Sequence, residues 1–90
     1  MLIGKVIGTV IATRKDEKLV GSKLLVTQPL TVDGQPCGDP LVAVDTVGAG
    51  VGERVLYVTG SVAPYALRRS EIPVDAAIIG IIDSLEVQPS

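Results

Sequence analysis

The sequence predicts an all-β protein, a small five-stranded OB-like β-barrel with one short helix before the last strand. Hydrophobic residues make up 47% of the chain and aromatic residues only 2%. The apolar content is mostly Val and Ile, which favour strands, and ten glycines and six prolines supply turns. Two long segments near the ends of the chain, Leu2–Thr13 and Ala76–Val87, alternate in the manner of strands.

The first strand is predicted over Leu2–Thr13 because apolar residues occupy both sets of alternating positions. One face carries Leu2, Val6, Val10 and Ala12 with Gly4 and Gly8 between them, and the other carries Ile3, Ile7 and Ile11. The mixed-charge run Arg14–Lys18 that follows is predicted to be a solvated hairpin loop. A docking role for that loop is the alternative.

The middle of the chain predicts three shorter strands separated by turn residues. Pro29 favours a sheet edge or a bend at the end of the second strand, and Asp33-Gly34 is a strong turn signal. The predicted strands are Lys23–Thr31, Leu41–Thr46 and Arg54–Thr59, with the loop Gly48–Gly52 before the last of them.

A short helix over Val62–Arg69, with Ser61 as its N-cap, is predicted to precede the fifth strand, Ala76–Val87. Gly80 indicates a bend or bulge within that strand. Simple alternation puts Ile78 and Ile82 on one face and Ala77, Ile79, Ile81, Leu85 and Val87 on the other.

The chain is too small to bury both apolar faces of its long strands. Residues 1–90 are expected to form a single domain with a thin core. One apolar face fills such a core, and the second needs another cover. A further copy of the same chain is the simplest cover, so we expect an oligomer.

Charge and residue types argue against several classes of function. The net charge is −2, which gives no electrostatic source for nucleic-acid binding, and the aromatic platforms of single-strand binders are missing. Histidine is absent and Cys37 is the only cysteine, so we expect no catalytic site, cofactor or metal ion. Asp45, Asp75 and Asp83 are interpreted as turn-capping or interface residues. No apolar run predicts a membrane helix or a signal peptide, and we expect a cytoplasmic protein.

The loop Gly48-Ala49-Gly50-Val51-Gly52 invites comparison with phosphate-binding loops. Such loops lead into a helix, whereas a strand pattern follows here, and no Lys-Ser or Lys-Thr pair comes after the glycines. A turn that needs positive φ, or a close approach to a neighbouring chain, is the preferred interpretation. Binding of a small anion or metabolite by backbone amides is kept as the alternative function, and an enzyme is placed last.

Several segments together resemble the bacterial microcompartment vertex proteins, the EutN/CcmL family of pentameric shell proteins. The most specific of them is Val42–Glu53, Val-Ala-Val-Asp-Thr-Val-Gly-Ala-Gly-Val-Gly-Glu. The others are Gly4–Val10, Thr13–Lys15, Lys23–Leu25, Val55-Leu56, Gly60-Ser61 and Pro73–Asp83, in the same order along nearly the whole chain. One departure is Pro64, at a position where relatives usually carry Arg.

The resemblance implies a structural protein without catalysis. It implies a homopentamer that caps the vertices of a polyhedral shell in the bacterial cytoplasm, among hexameric shell proteins. No nucleic-acid or membrane partner is expected, on the charge and composition given above. The residues expected to bound a pore or a subunit interface are Gly48, Ala49, Gly50, Val51, Gly52, Ile79 and Ile81.

Overall fold

The computed structural model describes residues 1–13, 17–60 and 75–88. Its five strands close into a barrel in the order β1-β2-β3-β5-β4. All neighbouring strands are antiparallel except β3 and β5, which are parallel. The strands are β1, Leu2–Val10; β2, Leu24–Pro29; β3, Leu41–Asp45; β4, Arg54–Thr59; and β5, Ala76–Ile81, and a short 3-10 helix, Glu17–Leu19, precedes β2.

The predicted all-β, OB-like barrel is therefore confirmed, and the number and order of its strands are those expected. The predicted helix Val62–Arg69 lies outside the described residues, as does part of the predicted loop Arg14–Lys18. No helix in the described ranges is long and apolar enough to cross a membrane.

The long first and last strands are shorter than alternation predicted. β1 ends at Val10 rather than Thr13, because its partner β2 begins at Leu24, which lies opposite Val10. β5 ends at Ile81 rather than Val87, because its partner β4 begins at Arg54. The last hydrogen bond between the two strands runs from the Ile82 N–H to the Arg54 carbonyl at 2.9 Å. A strand needs a ladder partner, and a run of apolar residues does not show where the partner stops.

Two bulges reverse the predicted faces. In β1 the register shifts between Val6 and Gly8, and in β5 it shifts beside Gly80, where a bulge was expected. Opposed residues in a ladder share a face. Val10 therefore joins the outer face with Leu24, and not the inner face with Val6. Likewise Ile81 lies opposite the buried Val55 and so faces inward with Ile78, contrary to the alternation drawn from the sequence.

The core fills the barrel with side chains from every strand. Tyr57, Leu25, Ile78, Val6 and Val55 are the largest apolar side chains that are almost completely buried. Gly4 lies among them because nothing larger fits. A Cβ on Gly4 would lie 2.6 Å from Thr27 Cγ2 and 3.0 Å from the Tyr57 ring. The interior is thus packed up to the backbone of β1.

Replacing Gly4 with Ala is expected to lower the free energy of unfolding by about 1–3 kcal/mol, because the added methyl overpacks the barrel. Chemical denaturation checks this. Gly8→Ala is the matched control on the same strand, since its Cβ would meet nothing closer than 3.7 Å. Equal stability of the two variants would contradict the overpacking.

The stability of the barrel is expected to depend on alkaline pH through Tyr57. Burial raises the pKa of the Tyr57 phenol above its usual value, and the charge of ionised Cys37 raises that pKa further. The pKa of Tyr57 is higher in the folded chain than in the unfolded chain. The stabilisation that comes from keeping this phenol neutral is therefore complete below pH ~10 and is lost as the pH rises through the folded pKa. The free energy of unfolding should therefore fall above pH ~10 less steeply in Tyr57→Phe than in the parent chain. Identical slopes would show that Tyr57 does not contribute.

Candidate functional site

The loop between β3 and β4 contains the glycine-rich sequence and is held tightly to the barrel. Gly48 and Gly52 adopt φ of +80° and +95°, which side chains disfavour, and this confirms the expected need for positive φ. The Val6 N–H donates to the Glu53 carbonyl at 3.0 Å, and the Gly52 N–H donates to the Val6 carbonyl at 2.8 Å. These two bonds continue the β1–β4 contact into the loop.

Side chains complete the fixation of this loop. Lys23 Nζ donates to the Ala49 carbonyl, and Glu53 Oε1 accepts from the Gly50 N–H at 2.7 Å. On the β3 side, Thr46 Oγ1 donates to the Ile78 carbonyl at 2.7 Å. The Asp45 carboxylate accepts from the Val47 N–H at 3.1 Å, which confirms the turn-capping interpretation of Asp45.

The loop is poorly suited to bind an anion. The N–H groups of Gly50, Gly52 and Glu53 already donate to protein acceptors. The Glu53 carboxylate lies against the loop and would repel a second negative charge. The alternative of a metabolite-binding barrel thus gains no support from the geometry. Among the described residues, no group of three or more His, Cys, Asp or Glu side chains is placed to hold a metal ion.

The structure places the seven predicted site residues in different environments. The Ala49 side chain is buried in the core of its own subunit, whereas Val51 projects into solvent. Ile81 lies opposite Val55, near the start of β4 and hence near the loop, with 37% of its surface exposed. Ile79 is the extra residue of the β5 bulge and is half-buried. Their participation in a pore or interface remains a prediction.

The outer surface of the barrel carries apolar rows that run across neighbouring strands. Val42, Val26 and Gly8 lie in one row across β3, β2 and β1, and Val44, Leu24 and Val10 lie in the next. Val44 is buried at 3% exposure, and Leu24 and Val10 are half-buried. Val42 and Ile7 are each 47% exposed. We call this surface, with Ile7, the β1–β3 face. It was expected from the apolar alternation of β1, although the bulge changes which residues form it.

A second apolar row lies on the outside of β1, β4 and β5. Ile3 lies opposite Leu56 in the β1–β4 ladder, and Leu56 lies opposite Gly80 in the β4–β5 ladder. We call this row of three residues the β1–β5 face. A polar row separates the two faces and consists of Gln28, Lys5 and Arg54. Alternation along each strand does not reveal this row, because only the strand register shows that Lys5 and Arg54 are opposite each other.

Known proteins are similar to this chain in sequence and in fold. The family model described as ethanolamine utilisation protein EutN/carboxysome matches residues 1–83. The bacterial microcompartment shell vertex protein GrpN of Rhodospirillum rubrum is 49% identical over 96% of this chain and 97% of its own. The carboxysome shell vertex protein CcmL of Thermosynechococcus vestitus is 46% identical over 94% of this chain and 86% of its own.

Solved structures give the same result. The structure of an ethanolamine utilization protein, EutN, superposes with a TM-score of 0.92 at 38% identity, over 97% of this chain and 91% of that one. The GrpN pentameric microcompartment shell protein from Rhodospirillum rubrum superposes with a TM-score of 0.87 at 47% identity, over 99% of this chain and 100% of that one. The chain therefore belongs to the EutN/CcmL family.

Proposed function

We propose that this chain is a structural subunit that assembles as a homopentamer and caps the vertices of a bacterial microcompartment shell. The relatives named as shell vertex proteins, and the relatives described as pentameric shell proteins, support the assignment. In this role the protein closes the shell among hexameric shell proteins in the bacterial cytoplasm. It catalyses no reaction.

The observation that carries the proposal is the pair of distinct apolar faces on the outside of a closed barrel. Apolar side chains exposed beside one another on a small protein mark an interaction site, and Val42 and Ile7 of the β1–β3 face are each 47% exposed. A cyclic ring is built from heterologous contacts, in which one patch of each subunit meets a different patch of the next. The β1–β3 face and the half-buried β1–β5 face provide two such patches. A two-fold symmetric dimer would need only one such patch on each subunit.

The glycine loop is assigned to the ring axis or to a contact between subunits within this proposal. Its backbone is fixed to its own barrel by Lys23 and Glu53, so five copies would present the same rigid outline. Val51 is the exposed apolar side chain at its tip. Because the N–H groups of Gly50 and Gly52 already donate within the chain, the loop is assigned a structural role.

Native mass spectrometry is expected to find five copies of the 9.3 kDa chain. Val42→Glu would place an unpaired charge in the β1–β3 face and should weaken each contact by about 2 kcal/mol, or roughly thirtyfold in dissociation constant. Val20→Glu is the matched control, because Val20 is 67% exposed and outside both faces. A parent chain that stays monomeric at micromolar concentration would refute the ring.

Ile79→Glu and Ile81→Glu test the predicted interface residues of β5. Since Ile81 faces inward opposite Val55, Ile81→Glu should lower the stability of the subunit itself by about 1–3 kcal/mol. Ile79→Glu should leave the subunit folded and weaken the ring. Denaturation and native mass spectrometry separate the two effects. Unchanged assembly in Ile79→Glu would remove that residue from the interface.

A further inference from the structure

An open groove of about 510 Å³ crosses the polar row on the outside of the barrel. Lys5, Arg54 and Gln28 contribute its polar groups, and Ile7, Leu30 and Pro36 contribute apolar walls. The two amide hydrogens of Gln28 are directed to the Pro29 and Gly38 carbonyls at 3.0 and 3.2 Å, so this side chain is fixed by its own loop. The groove is therefore a formed, positively charged cleft with apolar sides.

The two cations of this groove lack a counter-charge. Lys5 and Arg54 are directly opposed on β1 and β4, an arrangement that costs up to about 1 kcal/mol between like charges. Neither forms an ion pair with any carboxylate of residues 1–13, 17–60 and 75–88. A carboxylate bound between them would relieve the repulsion and form charge-assisted hydrogen bonds.

The C-terminal segment carries the complementary chemistry. Residues 83–88 follow the last ladder bond and, within the described ranges, donate and accept no backbone hydrogen bond. Asp83 and Glu86 supply two carboxylates, and Leu85 and Val87 supply two apolar side chains. Val87 is 62% exposed although it is a large apolar residue. Two negative and two apolar groups thus match the two cations and the apolar walls of the groove.

The segment does not occupy the groove of its own subunit. The Ile82 N–H is anchored to the Arg54 carbonyl at 2.9 Å, so the segment starts beside its own Arg54. Even so, neither Asp83 nor Glu86 pairs with Lys5 or Arg54 of the described chain. The segment starts close to the cations, and none of residues 83–88 lines the groove of its own chain. A neighbouring subunit is the remaining source of a matching groove.

We propose that the segment 83–88 of one subunit docks in the Lys5–Arg54 groove of the next subunit of the ring. Its carboxylates neutralise the two cations, and Leu85 and Val87 pack against Ile7 and Leu30. The contact is heterologous, as a ring requires. This inference rests on the proposed pentamer, and it names the segment and the groove that join adjacent subunits.

A disulfide cross-link tests the docking directly. The variant carries Lys5→Cys and Glu86→Cys in a Cys37→Ser background, which removes the exposed native thiol. After mild oxidation, a denaturing gel without reductant should show a ladder of up to five linked chains, with more than half of the protein linked. The control has Glu17→Cys in place of Glu86→Cys, because Glu17 is an exposed acid on the short 3-10 helix. It should give less than a tenth of that yield.

The outcomes separate this inference from the proposed function. A monomer that migrates faster after oxidation would place the segment in its own groove and overturn the docking between subunits. A ring seen by native mass spectrometry without any cross-link would also overturn the docking and leave the pentamer intact. A parent chain that forms no ring would refute the proposed function, and the docking with it.

Charge reversal gives a test that does not depend on cross-linking. Glu86→Lys alters an exposed residue outside the barrel, so the subunit should fold as before. The variant should raise the dissociation constant of the ring about tenfold at low salt and much less at ~1 M salt, because salt screens the lost attraction. Adding Lys5→Glu to the same chain should restore most of the affinity. An unchanged dissociation constant in Glu86→Lys, or no recovery in the double variant, would overturn the docking.

Discussion

Closure of the barrel is the constraint on which the rest of this structure depends. Each strand is paired on both sides, so the ladder hydrogen bonds within the barrel are satisfied inside one subunit. The paired stretches of these strands are not available to another chain. The side chains on the outer surface are available, and this is where the apolar rows and the Lys5–Arg54 row lie.

Much of the fold could be predicted because local patterns are clear. Alternation and turn residues located all five strands, and Pro29 and Gly80 marked the end of β2 and the bulge of β5. The faces were predicted less well. A single extra residue at each bulge reverses every later side chain of the strand, and alternation contains no sign of the one at Ile7.

The candidate site, like the fold, could be predicted from the sequence only in part. The positive φ of Gly48 and Gly52 follows from residue type, and so does the turn made by Asp45. Lys23 reaches Ala49 across 26 positions of sequence, and Lys5 meets Arg54 only through the register of β1 and β4. Contacts between distant residues depend on the closed topology, and a single sequence does not display them. The family resemblance supplied the number of subunits, which the apolar faces alone do not determine.

The filled interior has a consequence for permeation. Gly4 has no room even for a methyl group, and Tyr57 and Leu25 are buried within the same space. The interior around Gly4 is therefore filled by side chains and leaves no passage there for water or metabolites. If solutes cross a shell at a vertex made of this protein, they travel through openings where different chains meet, and substitutions in the barrel interior will not tune that traffic.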